Sequence, residues 1–335
     1  MSDTLPGQPA PLTPSAAAAP EGATPIGGFR RGGQLLLAAD GSELGGHAAR
    51  VAAAVAQRTG SALRAIHAVD TRGAPLPPPL DVAIGLADEL VGPGVHAEQE
   101  SEVRGALAAA VGGPVHWPVR VAIGTPAGVI VREAQRSGAD LVVLGLRAHG
   151  AAGRAFQDET ALLVMRRAAC PVLAVGHTLD GLPRCVVVGV DFSRTSREAA
   201  RLALDLLAPG GRLVLAYVSA RPPVAPDDGE GYVHALGVAA AFAALVAELA
   251  PAAGVRVEDE VLEGRPRQMP AQRLLELAGR AGADLVALGS RRYGRLERWL
   301  LGSVTTDLAR DGRVSLLVVP PAEPSAAQAD NSPPA

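Results

Sequence analysis

The chain has 335 residues, 48% of them hydrophobic, which is ample for two ordinary α/β cores, and its net charge of −3 argues against the basic stripe of a nucleic-acid-binding surface. Every basic residue is an arginine, which removes Walker-type phosphate lysines, Schiff-base lysines and kinase-type lysines together. Cys170 and Cys185, the only cysteines, each sit beside an apolar run and read as buried free thiols, as a reducing cytoplasm would keep them.

Residues 1–33 are Pro, Ala, Gly, Ser and Thr with almost no large apolar side chain, and read as a disordered tail. Arg30 and Arg31 precede an apolar run that Asp40 ends too early for an export signal. The run Gln34–Ala39 reads as a buried parallel strand, and Asp40-Gly41-Ser42 leads into a helix over 43–58, with Ser42 as N-cap and Gly60 as stop. A strand at Ala62–Val69 precedes a Pro-rich loop, 71–80, and an Ala- and Glu-rich helix over 97–111. Strand Val119–Ile123 meets Gly124-Thr125-Pro126 and a helix over 127–137, and 141–144 is the fourth strand. A loop containing His149, a helix to about 169 and a fifth strand at 171–175 complete the half. Strand and helix alternate throughout, which means parallel βαβ units in a doubly wound sheet.

The pattern then restarts. Strand 185–190 repeats the first strand, and Asp191-Phe192-Ser193 repeats Asp40-Gly41-Ser42, with Thr195 and Glu198 spaced as a capping box. Strand 212–218, a Pro-rich loop at 221–231, a helix over 235–249 and a strand at 255–262 follow, and Gly264-Arg265-Pro266 stands where Gly124-Thr125-Pro126 stood. A helix over 272–280, a strand at 283–288 and a last strand, Ser315–Val319, close the second half. The nearest approach to a membrane span, 235–247, is short and closed by Glu248, and reads as a core-facing helix. Self-similarity alone therefore makes the chain a tandem duplication: domains 34–177 and 183–321, joined near 177–183, with polar tails at 1–33 and 322–335.

After the strand at 283–288 comes GSRRYGRLERWLLGSV, residues 289–304, in which a strand stops at Gly289 and the chain delivers Gly302-Ser303 to a helix. Free backbone N–H groups at such a helix start suit an anion. This stretch resembles the signature loop of the universal stress protein family: Gly, two residues, Gly, nine residues, then Gly with Ser or Thr. Gly289, Gly302 and Ser303 match, and Arg292 stands where the family has its second Gly. The resemblance implies two tandem five-stranded domains of the adenine nucleotide alpha hydrolase-like fold, each with strand order 3-2-1-4-5. It also implies that the fifth strands pair across a two-fold axis, so that one chain can form its own pseudo-dimer. Homodimerisation is the alternative. For binding it implies ATP or a similar adenine nucleotide, with Mg²⁺ as its counter-ion. The positions carried over are Asp191 and Val218 for the adenine end and Gly289, Arg292, Gly294, Gly302, Ser303 and Val304 for the phosphate loop.

Asp191 is equally well explained as a turn residue before Ser193. Arg291, Arg292, Arg295 and Arg298 suit phosphate or a solvated face. In the first copy, Asp158 and Glu159 occupy the positions of Gly302 and Ser303, so that copy reads as degenerate and retained for its fold. The seven histidines show no metal-ligand spacing, and no nucleophile elbow is evident. The expectation is a cytoplasmic stress-response regulator that binds nucleotide in its C-terminal domain and acts on a protein partner unidentified by the sequence. A nucleotide-free dimerisation module and a slow ATPase are the alternatives.

Overall fold

The computed structural model describes residues 32–70, 93–146, 157–219, 229–250, 254–263, 269–290 and 302–321. The expected tails apart from Gly32 and Gly33, both Pro-rich loops apart from the end of the second, His149, Gly264-Arg265-Pro266, and the loop arginines with Gly294 lie outside the described residues. The first half runs β1 (Gln34–Ala39), α1 (Glu43–Thr59), β2 (Ala62–Val69), α2 (Pro93–Val111), β3 (Val119–Ile123), α3 (Pro126–Ser137), β4 (Leu141–Gly145), α4 (Gln157–Arg167) and β5 (Val172–Val175). The second runs β6 (Cys185–Gly189), α5 (Arg194–Leu206), β7 (Arg212–Ser219), α6 (Gly229–Leu249), β8 (Arg256–Glu263), α7 (Pro270–Ala281), β9 (Leu285–Gly289), α8 (Ser303–Asp311) and β10 (Ser315–Val319).

All ten strands form one sheet in the order β3-β2-β1-β4-β5-β10-β9-β6-β7-β8. Each half is parallel with the order 3-2-1-4-5, and the halves meet where β5 and β10 pair antiparallel, Leu317 opposite Leu173. The central strands are uninterrupted apolar runs because both faces are covered. Leu35, Leu36 and Leu37 of β1 and Leu285, Val286 and Ala287 of β9 are fully buried, and each such large side chain contributes about 1.5–3 kcal/mol. Helices α1, α2, α5 and α6 pack on one face, and α3, α4, α7 and α8 on the other. The corresponding helices of both halves thus share a face while the strands run oppositely. The halves are therefore related by a rough two-fold axis normal to the sheet, and the carboxyl ends of their strands open at opposite edges.

Two local expectations are corrected. The second copy's first helix is capped by Ser193, whose Oγ accepts from the Ser196 N–H at 3.4 Å, and not by a Thr195–Glu198 box. Asp191 holds the Ser193 N–H, so the helix starts at Arg194, and Glu198 accepts from Arg194 Nε at 2.9 Å. The Ala-rich helix is also less buried than expected. In α6 the stripe Val238, Phe242, Leu245 and Leu249, with Val246 partly buried beside it, faces the sheet, whereas Tyr232 (64% exposed), Val233 and Leu236 face outward. Because α6 begins before residue 235, its span Gly231–Leu249 is long and apolar enough, with mean hydropathy 1.7, to cross a membrane by length and composition. That buried stripe, one side chain per turn, docks α6 on the sheet of the second half.

Candidate functional site

In an open parallel sheet, the strand order reverses between strands one and four, and the crevice lies at their carboxyl ends. In the second half, that places the site between β6 and β9. The chain leaves β6 through Val190, whose N–H donates to Ala216 O at 2.8 Å, and then turns at Asp191, Phe192 and Ser193. The Asp191 carboxylate accepts from the Ser193 N–H at 3.0 Å and from its hydroxyl at 2.5 Å, which pins the turn and the start of α5 together. Phe192 sits at φ 59°, a costly conformation for a bulky residue. Its ring stacks on Tyr217 with centroids 5.4 Å apart and meets Phe242 edge-on at 5.1 Å, contacts that hold it there.

Gly289 ends β9 directly beneath α5. A Cβ at this position would lie 2.5 Å from the Thr195 carbonyl carbon and 2.6 Å from the Ser196 nitrogen, so only glycine lets the helix backbone cross here. The chain is next described at Gly302, the N-cap of α8. Gly302 has φ −58° and ψ 155°, ordinary for any residue, and a Cβ there would meet nothing within 4 Å among the described residues. A glycine has no side chain with which to cap the helix, so Gly302 itself satisfies none of the first-turn N–H groups with a side-chain oxygen.

Asp191, Val218, Gly289, Gly302, Ser303 and Val304 all line one cavity of about 480 Å³. Arg292 and Gly294 lie outside the described residues. Sequence reasoning missed Ser196 and Tyr217, which line the same cavity. Tyr217 was detectable as the neighbour of Val218 at the strand end; nothing in the sequence marked Ser196.

The first half keeps an equivalent crevice of about 360 Å³, lined by Asp40, His67, Asp70, Gly145 and Thr160 among others. Asp40 repeats the turn, accepting from the Ser42 N–H at 3.0 Å and the hydroxyl at 2.6 Å. His67 stands where the second half has Tyr217, and its Nδ1–H donates to Ala39 O at 2.7 Å. The helix entries differ. Aligning Gly145 with Gly289 places Asp158 and Glu159 inside the first turn of α4, whereas Gly302 precedes α8.

Neither cysteine supplies a nucleophile. Burial pushes the Cys170 thiol up to about 11. Burial also raises Cys185, against the pull of Arg212, whose Nη2 lies 3.5 Å from the sulfur.

Residues 33–176 and 184–320 each match the family model described as the universal stress protein family. A universal stress protein of Methanocaldococcus jannaschii is 32% identical over 146 residues, covering 42% of this chain and 84% of that protein. One of Mycobacterium tuberculosis strain H37Rv is 31% identical over 194 residues, 54% of this chain and 61% of that protein. Among solved structures, a universal stress protein from Archaeoglobus fulgidus superposes with a TM-score of 0.57 at 18% identity, covering 87% of this chain and 99% of that one. One described as a putative universal stress protein from Pseudomonas aeruginosa gives 0.53 at 16% identity, over 88% and 95%.

Proposed function

The chain belongs to the universal stress protein family in its tandem form, and from that premise we propose that its second half binds an adenine nucleotide, ATP in the first instance. The observation that carries this reading is Gly302: among the described residues neither its backbone angles nor any neighbour requires glycine, and it stands at a helix start that lines the cavity. Phosphate oxygens would take the N–H groups of Ser303 and Val304 and the Ser303 hydroxyl, where the helix dipole favours negative charge. Asp191 and Val218 would hold the base and ribose end. Arg292 and Gly294 belong to the phosphate side of the same proposal, and Mg²⁺ enters only as the phosphates' counter-ion. The domains are 34–177 and 183–321.

The proposed role is regulation by binding, exerted on a protein partner in a reducing cytoplasm. It needs no turnover, and among the described residues no thiolate or histidine lines the second crevice. The nucleotide-free reading draws on one observation: the Asp191 carboxylate is already engaged by Ser193, as Asp40 is by Ser42. Mass spectrometry of small molecules released when the purified protein is denatured separates the two. An adenine nucleotide near one per chain is the expected result. Release of none, together with no heat on titration with ATP, would leave the interaction-module reading in its place.

A further inference from the structure

Outside both crevices, three side chains of metal-binding type come together where the first half ends. Glu43 and His47 lie one turn apart on α1, and His177 follows the end of β5; ligand atoms of all three lie within 4.8 Å of one another. No metal-ligand spacing along the chain marks this cluster, because the third residue arrives only when β5 packs two strands from β1.

We propose that Glu43, His47 and His177 bind one divalent transition-metal ion of the zinc class. His47 is the fixed member: its side chain is 16% exposed, and its Nδ1 is shielded from solvent with no hydrogen-bond partner among the described residues. A buried imidazole nitrogen left unpaired is costly, and a cation supplies the missing partner. Asp180 Oδ1 lies 3.4 Å from that nitrogen, and its carboxylate is held in place by Arg50 Nε. A carboxylate beside the nitrogen that takes the ion can close the coordination shell. Two imidazoles and a carboxylate select zinc, cobalt or nickel over magnesium or calcium, which prefer all-oxygen shells.

Charge and space agree with this assignment. Glu43 and Asp180 outweigh Arg50 by one negative charge when the imidazoles are neutral. A four-coordinate ion with bonds of about 2.0–2.1 Å sets its donors ~3.3 Å apart. Glu43 and His177 are both exposed, so their side chains close the remaining gap by rotation while the backbone stays put. A surface cavity of about 290 Å³ against α1, lined in part by Glu43, His47 and Arg50, gives an entry path. The ion would tie α1 to the segment that connects the two halves, since His177 and Asp180 both belong to it.

The test uses the full chain, stripped with a chelator and titrated with Zn²⁺ by calorimetry, with Co²⁺ absorption as an independent reading of the ligand set. One ion per chain is expected, and saturating Zn²⁺ should raise the thermal midpoint. Replacing His177 by Ala, an exposed position whose far-ultraviolet circular dichroism should match the parent, should weaken binding at least about tenfold and abolish the thermal shift. His116→Ala, at an exposed histidine outside the cluster, should leave both unchanged. Absence of bound ion, unchanged affinity in His177→Ala, or an equal loss in His116→Ala would each overturn the assignment.

Discussion

Two glycine-to-alanine substitutions separate packing from binding at the crevice. At Gly302 the added methyl meets no atom of the described residues within 4 Å and the backbone angles are ordinary. Alanine is a poorer N-cap than glycine, a loss that its lower unfolded-state entropy offsets in part, so stability should change by no more than about 0.5–1 kcal/mol. The same methyl stands in the space through which a phosphate would approach the N–H groups of α8. Losing one charge-assisted hydrogen bond, worth about 1.5–3 kcal/mol, should weaken ATP binding about 10- to 150-fold. Gly289→Ala acts the other way. Its methyl meets the Thr195 and Ser196 backbone at 2.5–2.7 Å, where no side-chain rotation can relieve it, and should cost about 1–3 kcal/mol before any ligand is added. Urea midpoints without nucleotide and calorimetry with ATP read the two effects separately. Parental ATP affinity in Gly302→Ala would refute phosphate binding at the α8 start, and a parental urea midpoint in Gly289→Ala would refute the close helix crossing.

Transplanting the first copy's chemistry, Gly302→Asp with Ser303→Glu, should lower ATP affinity at least tenfold with the fold intact. Even a quarter of the roughly 4 kcal/mol of a like-charge contact at 4 Å, counted twice, exceeds a tenfold loss, and calorimetry with circular dichroism checks both halves of the statement. Glu133, 4% exposed, accepts from Arg136 Nη2 at 2.6 Å and from Arg120 Nη1 at 2.9 Å. Burial raises its pKa, but the hydrogen bond and charge of Arg136, with those of Arg120, outweigh burial and hold it below the usual 4.5. Its stabilisation is therefore present above pH 4.5 and lost as pH falls through the lowered folded value. Glu133→Gln should cost about 1–3 kcal/mol at pH 7, less than a fully buried pair because the arginines are partly exposed, and urea midpoints should converge with the parent in acid. Cys170, with its thiol raised to about 11, should react with iodoacetamide at pH 8 far more slowly in the native protein than in urea; equal rates would contradict its burial.

Much of the fold was legible because the features that specify it are local and repeated. Apolar runs such as Gln34–Ala39 and Ser315–Val319 have no polar alternation, and their bounds match the strands because burial on both faces demands that pattern. Where several local signals compete, the reading slipped. Ser193, Thr195 and Glu198 can each take part in a cap, and only the bond from Ser193 to Asp191, set by where β6 ends, decides among them. For α6, the sequence reads as a core-facing helix, and one stripe of it does face the core. How much of it is covered depends on its place over the outer strands of the second half, which no periodicity within the helix records.

The site divides along the same line. Glycine at positions 289 and 302 looks like one motif, yet the surroundings differ: one admits a helix backbone at 2.5 Å, the other meets nothing within 4 Å among the described residues. A pattern of spacing cannot distinguish these, since both appear only as the absence of a side chain. The first copy makes the difference visible. It retains Gly145 beneath α1, where a Cβ would lie 3.2 Å from Leu44 Cβ, but it carries Asp158 where Gly302 stands. The packing glycine stabilises either half, whereas on the proposed reading the second matters only where a ligand approaches the helix start. Loss of the second glycine with retention of the first is what a duplicated chain should show when both halves keep the sheet and one keeps the ligand.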